Sequence, residues 1–351
     1  MDGAHKKSAT NFWFNVRGRS KMPFQVIIGG RGTGKSYSAL DLARNNFYNG
    51  GRRFLYVRRE RVEIDACCTP MGNPFKKLNN DKGYEVDAEI DGKSGVGFFS
   101  EKGIIIGYAV ALSSFAGLRS VDMSDVDLII FDEFIPEKHK RKIRNEGQAL
   151  FNLYETVNRN REIVTEAEAE AGIKPQPPCT MILLANALSL NNPILLQFDV
   201  VGEIQKMIQS HETRRTIKER RLYIEMVNNV GVTDAKRNTA LYMLANAQFV
   251  EETLSSDFKA DDMSSVVTNI DMRHYKPYYS LGHWGVYYSR NNDTYYIGTA
   301  RGSFPRTFYE TQADRVRLFY APSYRLARGM GRIYFDTFET QVFFDDLMNW
   351  L

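Results

Sequence analysis

The sequence predicts an α/β protein built around a largely parallel sheet. Short apolar runs without polar alternation recur at Phe24 to Ile28, Phe54 to Val57, Leu128 to Phe131 and Thr180 to Leu184. Such runs suit strands buried on both faces, and segments of helical spacing lie between them. The first run also stops at glycines that open directly into a helical pattern through Leu40, Leu42 and Ala43, giving strand, loop and helix in succession.

Between the second and third runs, Tyr84 to Ala111 alternates β-rich stretches with glycine-containing turns, as a meander does. After the third, Gln148 to Glu162 places Leu150, Leu153, Tyr154 and Val157 on one helix face. Val164 to Pro178 turns to Glu, Ala and Pro and reads as an exposed connection before the fourth strand. Beyond Asn228 the texture changes. Lys236 to Val250 has helical spacing, Ser255 to Ser265 is polar, and Tyr275 to Thr299 is dense in tyrosine with turn signals at Gly282, Gly285 and Asn291 to Asp293. That pattern predicts a separate, hairpin-rich C-terminal domain.

At 351 residues the chain exceeds what one core usually holds, so two or three domains are expected. Hydrophobic residues at 43% and charged residues at 25% fit a globular protein rather than a disordered one. No apolar run approaches the roughly 20 residues that span a bilayer, and Met1 to Ser20 lacks a secretory signal's apolar centre, so a cytoplasmic, membrane-free protein is expected. Cys67, Cys68 and Cys179 form no disulfide framework, and five scattered histidines offer no zinc-site spacing. The net charge of +4 is mild, but basic residues bunch at Lys138 to Arg144 and at Arg214 to Arg221. Such runs serve either as nucleic-acid contacts or as solvated faces.

The chemistry concentrates in the first half. Gly29-Gly30-Arg31-Gly32-Thr33-Gly34-Lys35-Ser36 satisfies G-x-x-x-x-G-K-[ST], between the strand and helix that this pattern requires. Glycines let backbone N–H groups approach phosphate oxygens, and the helix start adds positive potential. Lys35 is expected on the β- and γ-phosphates of ATP and the Ser36 hydroxyl on Mg²⁺. With Tyr37 just beyond, these residues are the expected nucleotide contacts. Asp127-Leu128-Ile129-Ile130-Phe131-Asp132-Glu133 is an apolar strand ending in two carboxylates, the Walker B pattern. Asp132 is expected to hold Mg²⁺, and Glu133 to polarise the water that attacks the γ-phosphate.

Other groups are less determined. Asn186, after the fourth strand, resembles the polar sensor of ring ATPases, although a turn residue is the plain alternative. Arg119, Arg159 and Arg161 are each candidates for an arginine finger that offsets transition-state charge from a neighbouring subunit, or are surface and salt-bridge residues. Arg58 and Arg59 stay open between nucleotide sensing, DNA contact and structural pairing.

Taken together, Ile27 to Tyr37, Tyr56-Val57-Arg58-Arg59, Ile130-Phe131-Asp132-Glu133-Phe134-Ile135 with Glu137-Lys138, Arg159-Asn160-Arg161-Glu162, and Asn186-Ala187 with Asn192-Pro193 resemble the genome-packaging ATPases of phi-29-like bacteriophages. The resemblance spans about Phe24 to Phe198. It implies an additional-strand, RecA/FtsK-like P-loop NTPase domain, assembled as a homopentamer on the portal (connector) of an empty procapsid in the host cytoplasm and pumping double-stranded DNA inward. Arg159 matches the family's trans-acting finger, and Arg119 falls where the family has a second basic residue acting across the interface. A structural packaging RNA is left open. By analogy, residues 1–228 are the ATPase domain, 229–258 a short helical linker and 259–351 a small α+β, degenerate RNase H-like domain.

An active nuclease would need carboxylates converging on metal ions. Asp271, Asp293 and Asp336 are available, but their surroundings carry no nuclease signature, so no cleavage is expected. The rival readings are a terminase-like ATPase with a working nuclease and a nucleotide-gated assembly protein. In the leading one, the basic run Lys138 to Arg144 faces the DNA channel and grips phosphates without regard to sequence.

Overall fold

A computed structural model of the protein describes residues 13–118, 122–137, 140, 143, 145–228, 230–246, 250, 253, 254, 258, 261, 263–267 and 269–348. Internal packing divides the chain into two compact units. One comprises Met1–Leu188 with Met207–Lys259, the other Ser189–Lys206 with Ala260–Leu351.

The elements begin with β1 (Phe24–Gly29), α1 (Lys35–Gly50), β2 (Arg53–Arg58), α2 (Arg61–Cys67), α3 (Lys76–Lys82), β3 (Val86–Ile90), β4 (Gly97–Glu101), β5 (Ile104–Ala111) and β6 (Val126–Asp132). They continue with α4 (Glu146–Asn158), α5 (Glu166–Glu170), β7 (Thr180–Asn186), α6 (Pro193–Gln197), α7 (Val201–Gln209), β8 (Arg214–Ile217), β9 (Leu222–Val227), α8 (Val230–Arg237) and α9 (Ala240–Leu244). Among the described residues nine strands form one sheet in the order β3-β4-β5-β2-β6-β7-β1-β9-β8.

The six central strands, β5 to β9 in that order, are parallel. The edges close with the expected antiparallel meander β3-β4-β5 and with β8 against β9. The apolar runs are explained by their place, since β1, β2, β6 and β7 are buried almost throughout. Ile27, Leu40, Phe54, Tyr56, Phe99, Ile130 and Ile182 share one core cluster. There the Phe54 and Phe99 rings stack at 5.5 Å.

Register decides where the chemistry collects. Gly29 pairs with Asn186, and Asp132 pairs with Leu184 two positions back along the same β7. The loop after β1, the acids ending β6 and the amide ending β7 therefore share the carboxyl edge of the sheet, the edge at which open α/β sheets bind ligands.

The helical segment expected over Lys236 to Val250 is different in the structure. α8 begins at Val230 and ends at Arg237, and a turn at Asn238 and Thr239 separates it from α9. Thr239 is extended and no residue of α9 is buried, so no apolar face carries one helix through. The connection 164–178 is exposed as expected but includes α5, started by a capping box between Thr165 and Glu168.

In the second unit, the tyrosine-rich segment forms the antiparallel hairpins β10 (Lys276–Leu281), β11 (Trp284–Ser289) and β12 (Thr294–Thr299). Short β13 (Thr307–Phe308) and β14 (Ile333–Phe335) flank them in the order β13-β10-β11-β12-β14. α10 (Ala313–Gly329) and α11 (Phe338–Met348) complete the unit. The tyrosines are packing residues: Tyr279 stacks on Tyr320 of α10 at 4.0 Å, and Trp284 on Phe343 of α11 at 3.8 Å. The segment before α6 belongs here because Asp261 accepts from the Ser189 hydroxyl at 2.6 Å and from the Leu190 N–H at 2.7 Å.

One ion pair is fully internal. Arg59, after β2, donates from Nε to Glu146 Oε1 at 2.6 Å, at the start of α4, and both side chains are buried. Replacing Arg59 with Leu takes the cation from a buried carboxylate and is expected to cost about 3–5 kcal/mol. Denaturant melts should show this loss, with most of it recovered in the Arg59→Leu, Glu146→Leu double variant.

Candidate functional site

The site begins with the glycine-rich loop between β1 and α1. Gly34 adopts φ +98°, a conformation that side chains with a Cβ resist, and so swings the chain into α1 with its first N–H groups pointing outward from the sheet edge. Lys35 follows, and its side chain folds back into the loop. Nζ donates to the carbonyls of Gly30 at 2.8 Å and Gly29 at 3.1 Å, and to Asn186 Oδ1 at 3.3 Å. Burial lowers its pKa to about 8, with Asp132 opposing that shift and Lys236 adding to it.

Across the cleft stands the end of β6. Asp132 Oδ1 accepts from the Ser36 hydroxyl at 2.8 Å, and Oδ2 from the Tyr56 hydroxyl at 3.1 Å. Burial pushes the Asp132 carboxyl up, against the pull of Arg58 and the Ser36 hydrogen bond. Glu133, next along the chain, takes a left-handed φ of +56° and is half exposed. Arg58 binds it at 2.6 Å and also lies 3.4 Å from Glu63 and 3.8 Å from Asp132.

These groups border a cleft of about 690 Å³, lined by Arg31 through Tyr37, Asp132, Glu133 and Asn186, with Trp13, Lys77 and Asp81 further along. Helix N–H groups beside a lysine suit phosphate oxygens, and the paired hydroxyl and carboxylate are the hard oxygen donors that Mg²⁺ prefers. Ser36 and Asp132 lie within hydrogen-bond reach of each other, so the donor set fits that ion.

Gly29 and Gly30 supply carbonyls to Lys35, Thr33 donates to the Gly30 carbonyl at 3.2 Å, and Arg31 pairs with Glu137 at the rim. Arg159 does not line the cleft. It terminates α4 with its side chain half exposed and 3.6 Å from Asp122. Arg161 is almost buried, 3.2 Å from Asp127 and 2.9 Å from the Ser124 carbonyl. Arg119 lies outside the described residues. Of the basic run 138–144, only Lys140 and Ile143 are described, and Lys140 pairs with Glu63.

In the other basic run, Arg214 pairs with Glu225 at 3.0 Å, Arg215 with Glu212, and Arg221 with Glu162 at 2.6 Å. Asp271 pairs with Arg273, Asp293 with Arg332, and Asp336 accepts from the Thr299 N–H. Among the described residues no three His, Cys, Asp or Glu side chains group as a metal site.

The sequence alone does not point to Trp13, Lys77 or Asp81, and it leaves the role of Arg58 open. Trp13 reaches the cleft because the Phe14 N–H donates to the Thr33 carbonyl at 2.9 Å, a pairing that leaves no trace in local sequence. Tyr56 and Arg58 are legible as the end of a strand, but their partners are not.

Residues 17–317 match the family described as Podovirus DNA encapsidation protein (Gp16). The DNA packaging protein of Bacillus phage phi29 is 30% identical over 295 residues, covering 82% of this chain and 78% of that relative. The DNA packaging protein of Bacillus phage PZA matches to the same extent, 30% over 295 residues with coverage of 82% and 78%. Among solved structures, the Phi-28 gp11 DNA packaging motor has a TM-score of 0.60 at 18% identity, covering 95% of this chain and 96% of that one. The bacteriophage Phi-29 viral genome packaging motor assembly has a TM-score of 0.57 at 22% identity, covering 93% and 95%. At these identities the structural likenesses speak to the fold.

The buried lysine sets a pH dependence. Folding lowers the Lys35 pKa from 10.5 to about 8, so between those values the unfolded chain holds a proton that the folded chain releases. The lysine therefore costs stability below pH 8, and the cost fades as pH rises to 10.5. Ligand-free protein is expected to gain up to about 3 kcal/mol relative to Lys35→Met across that window, read from denaturant melts.

Proposed function

This chain belongs to the Podovirus DNA encapsidation protein (Gp16) family, and from that premise we propose that it is a P-loop ATPase driving double-stranded viral DNA into a preformed capsid. The observation that carries the ATPase reading is the meeting of Ser36 and Asp132, 96 residues apart in sequence and 2.8 Å apart at the sheet edge, beside the buried Lys35. The position of β7 between β1 and β6 supports the additional-strand division of P-loop folds.

In this reading the loop N–H groups and Lys35 receive the phosphates, the ammonium leaving the Gly29 and Gly30 carbonyls for β- and γ-oxygens. Ser36 and Asp132 would hold Mg²⁺, which would supply charge neutralisation for the triphosphate. Asn186, already on Lys35, orients the γ-phosphate side. Arg58 pairs with Glu133, and Glu133 must exchange that partner for water before it can take the proton of the attacking nucleophile. Arg159, exposed and weakly tied, is suited to act in a neighbouring subunit, whereas Arg161 is committed to β6 and its preceding turn.

Arg119 is the second trans-acting candidate. The assembly is a homopentameric ring on the portal connector of the procapsid, gripping DNA through its phosphates, with a packaging RNA as a further partner. Residues 259–351 are read as a degenerate RNase H-like domain with no cleavage activity.

The test is DNA-stimulated ATP hydrolysis by full-length protein. Glu133→Gln should lower turnover by about 100-fold or more while retaining ATP, and Lys35→Ala should lose ATP itself. In mixtures with wild type, Arg159→Ala should depress activity more steeply than its fraction. A strictly proportional decline would remove the shared finger, and full binding and hydrolysis by Lys35→Ala would remove the ATPase.

A further inference from the structure

Lys236 lies in the last turn of α8, 205 residues from the glycine-rich loop, yet its ammonium donates to the carbonyl of Arg31 within that loop. The approach is close. A Cβ built on Gly32, which has φ +68°, would stand 2.6 Å from Lys236 Nζ and 3.1 Å from its Cε. Gly32 thus leaves open both a left-handed backbone and the space that this ammonium occupies.

Charge pairing makes the placement unusual. Among the described residues no carboxylate pairs with Lys236, and its other contact is the Tyr242 ring at 5.9 Å. The nearby acids are already engaged, Glu137 with Arg31, Asp132 with Ser36 and Tyr56, and Glu133 with Arg58. Three cations, Arg31, Lys35 and Lys236, therefore gather about one short loop. Burial and then Arg31 lower the Lys236 pKa, and Lys236 in turn lowers that of Lys35. A backbone carbonyl compensates a partly desolvated ammonium poorly compared with an anion.

We propose that Lys236 is a second phosphate-contacting lysine, brought in by α8, that exchanges the Arg31 carbonyl for the terminal phosphate of a bound triphosphate and so separates ATP from ADP. The proposal rests on the nucleotide reading of the site. The start of α1 and Ser36 face the inner phosphates, and Lys35 reaches the β- and γ-positions. Arg31 and Gly32 stand in the middle of the loop, four and three residues before Lys35, and Lys236 is near enough to act on the Lys35 ammonium, so in this reading both lysines face the same outer phosphates. The four-carbon stem of lysine allows the short transfer without moving α8.

The experiment is equilibrium binding of a fluorescent, non-hydrolysable ATP analogue and of the matching ADP analogue to full-length protein with Mg²⁺. Lys236→Met is expected to weaken the triphosphate about tenfold and the diphosphate by no more than about twofold, with Lys236→Arg restoring most of the loss. An equal loss for both nucleotides would mean that Lys236 merely supports the loop, and no loss would mean that it touches no phosphate; either overturns the proposal. Lys236→Gln repeats the comparison should the Met variant not fold. Lys35→Ala separates the two readings: wild-type binding there removes the nucleotide site itself. Loss of both nucleotides there, with Lys236→Met unchanged, removes Lys236 alone.

Discussion

A lysine ammonium held out of water beneath a glycine-rich loop organises this end of the molecule. Among the described residues no carboxylate pairs with Lys35, which is held by the Gly29 and Gly30 carbonyls, the Thr33 hydroxyl and the Asn186 amide oxygen. These are neutral acceptors, and they leave the charge only partly compensated. The sheet supports the arrangement, because the register of β7 on β1 sets Asn186 beside Gly29, and β6 beside β7 brings Asp132 to the same edge. Any shift of β7 would move the amide away from the ammonium and the acid away from Ser36.

Two adjacent arginines show how the end of one strand serves two purposes. Arg58 points toward the cleft and restrains Glu133, while Arg59 turns inward to Glu146 and ties β2 to α4. The internal pair is an anchor whose loss leaves a buried charge. The cleft pair is a restraint with one partner half exposed, which makes it the one that can open.

Much of the first unit was legible because its signals are local. The non-alternating runs became β1, β2, β6 and β7, the meander became β3 to β5, and the loop pattern fell between a strand and a helix. Arg161 and the run 214–221 are engaged in ion pairs and backbone contacts, and the tyrosines of β10 to β12 include packing residues against α10. The segment after residue 228 was less readable. Its spacing suggested one helix, whereas α8 and α9 are two, and the exposed α9 has no packed face to impose a period.

By itself, the sequence determined the fold class, the strand, loop and helix around Lys35, and the acids ending β6. Each of these is written in residues that are neighbours along the chain, where periodicity and glycine placement act directly. Only the tertiary structure decided which charges meet: Arg58 with Glu133, Arg59 with Glu146, Ser36 with Asp132, and Lys236 with the loop. Those pairings follow from the order and register of parallel strands and from the path of the crossovers between them. Side chains that charge and spacing alone cannot tell apart are thereby sent to the cleft, the core or the surface.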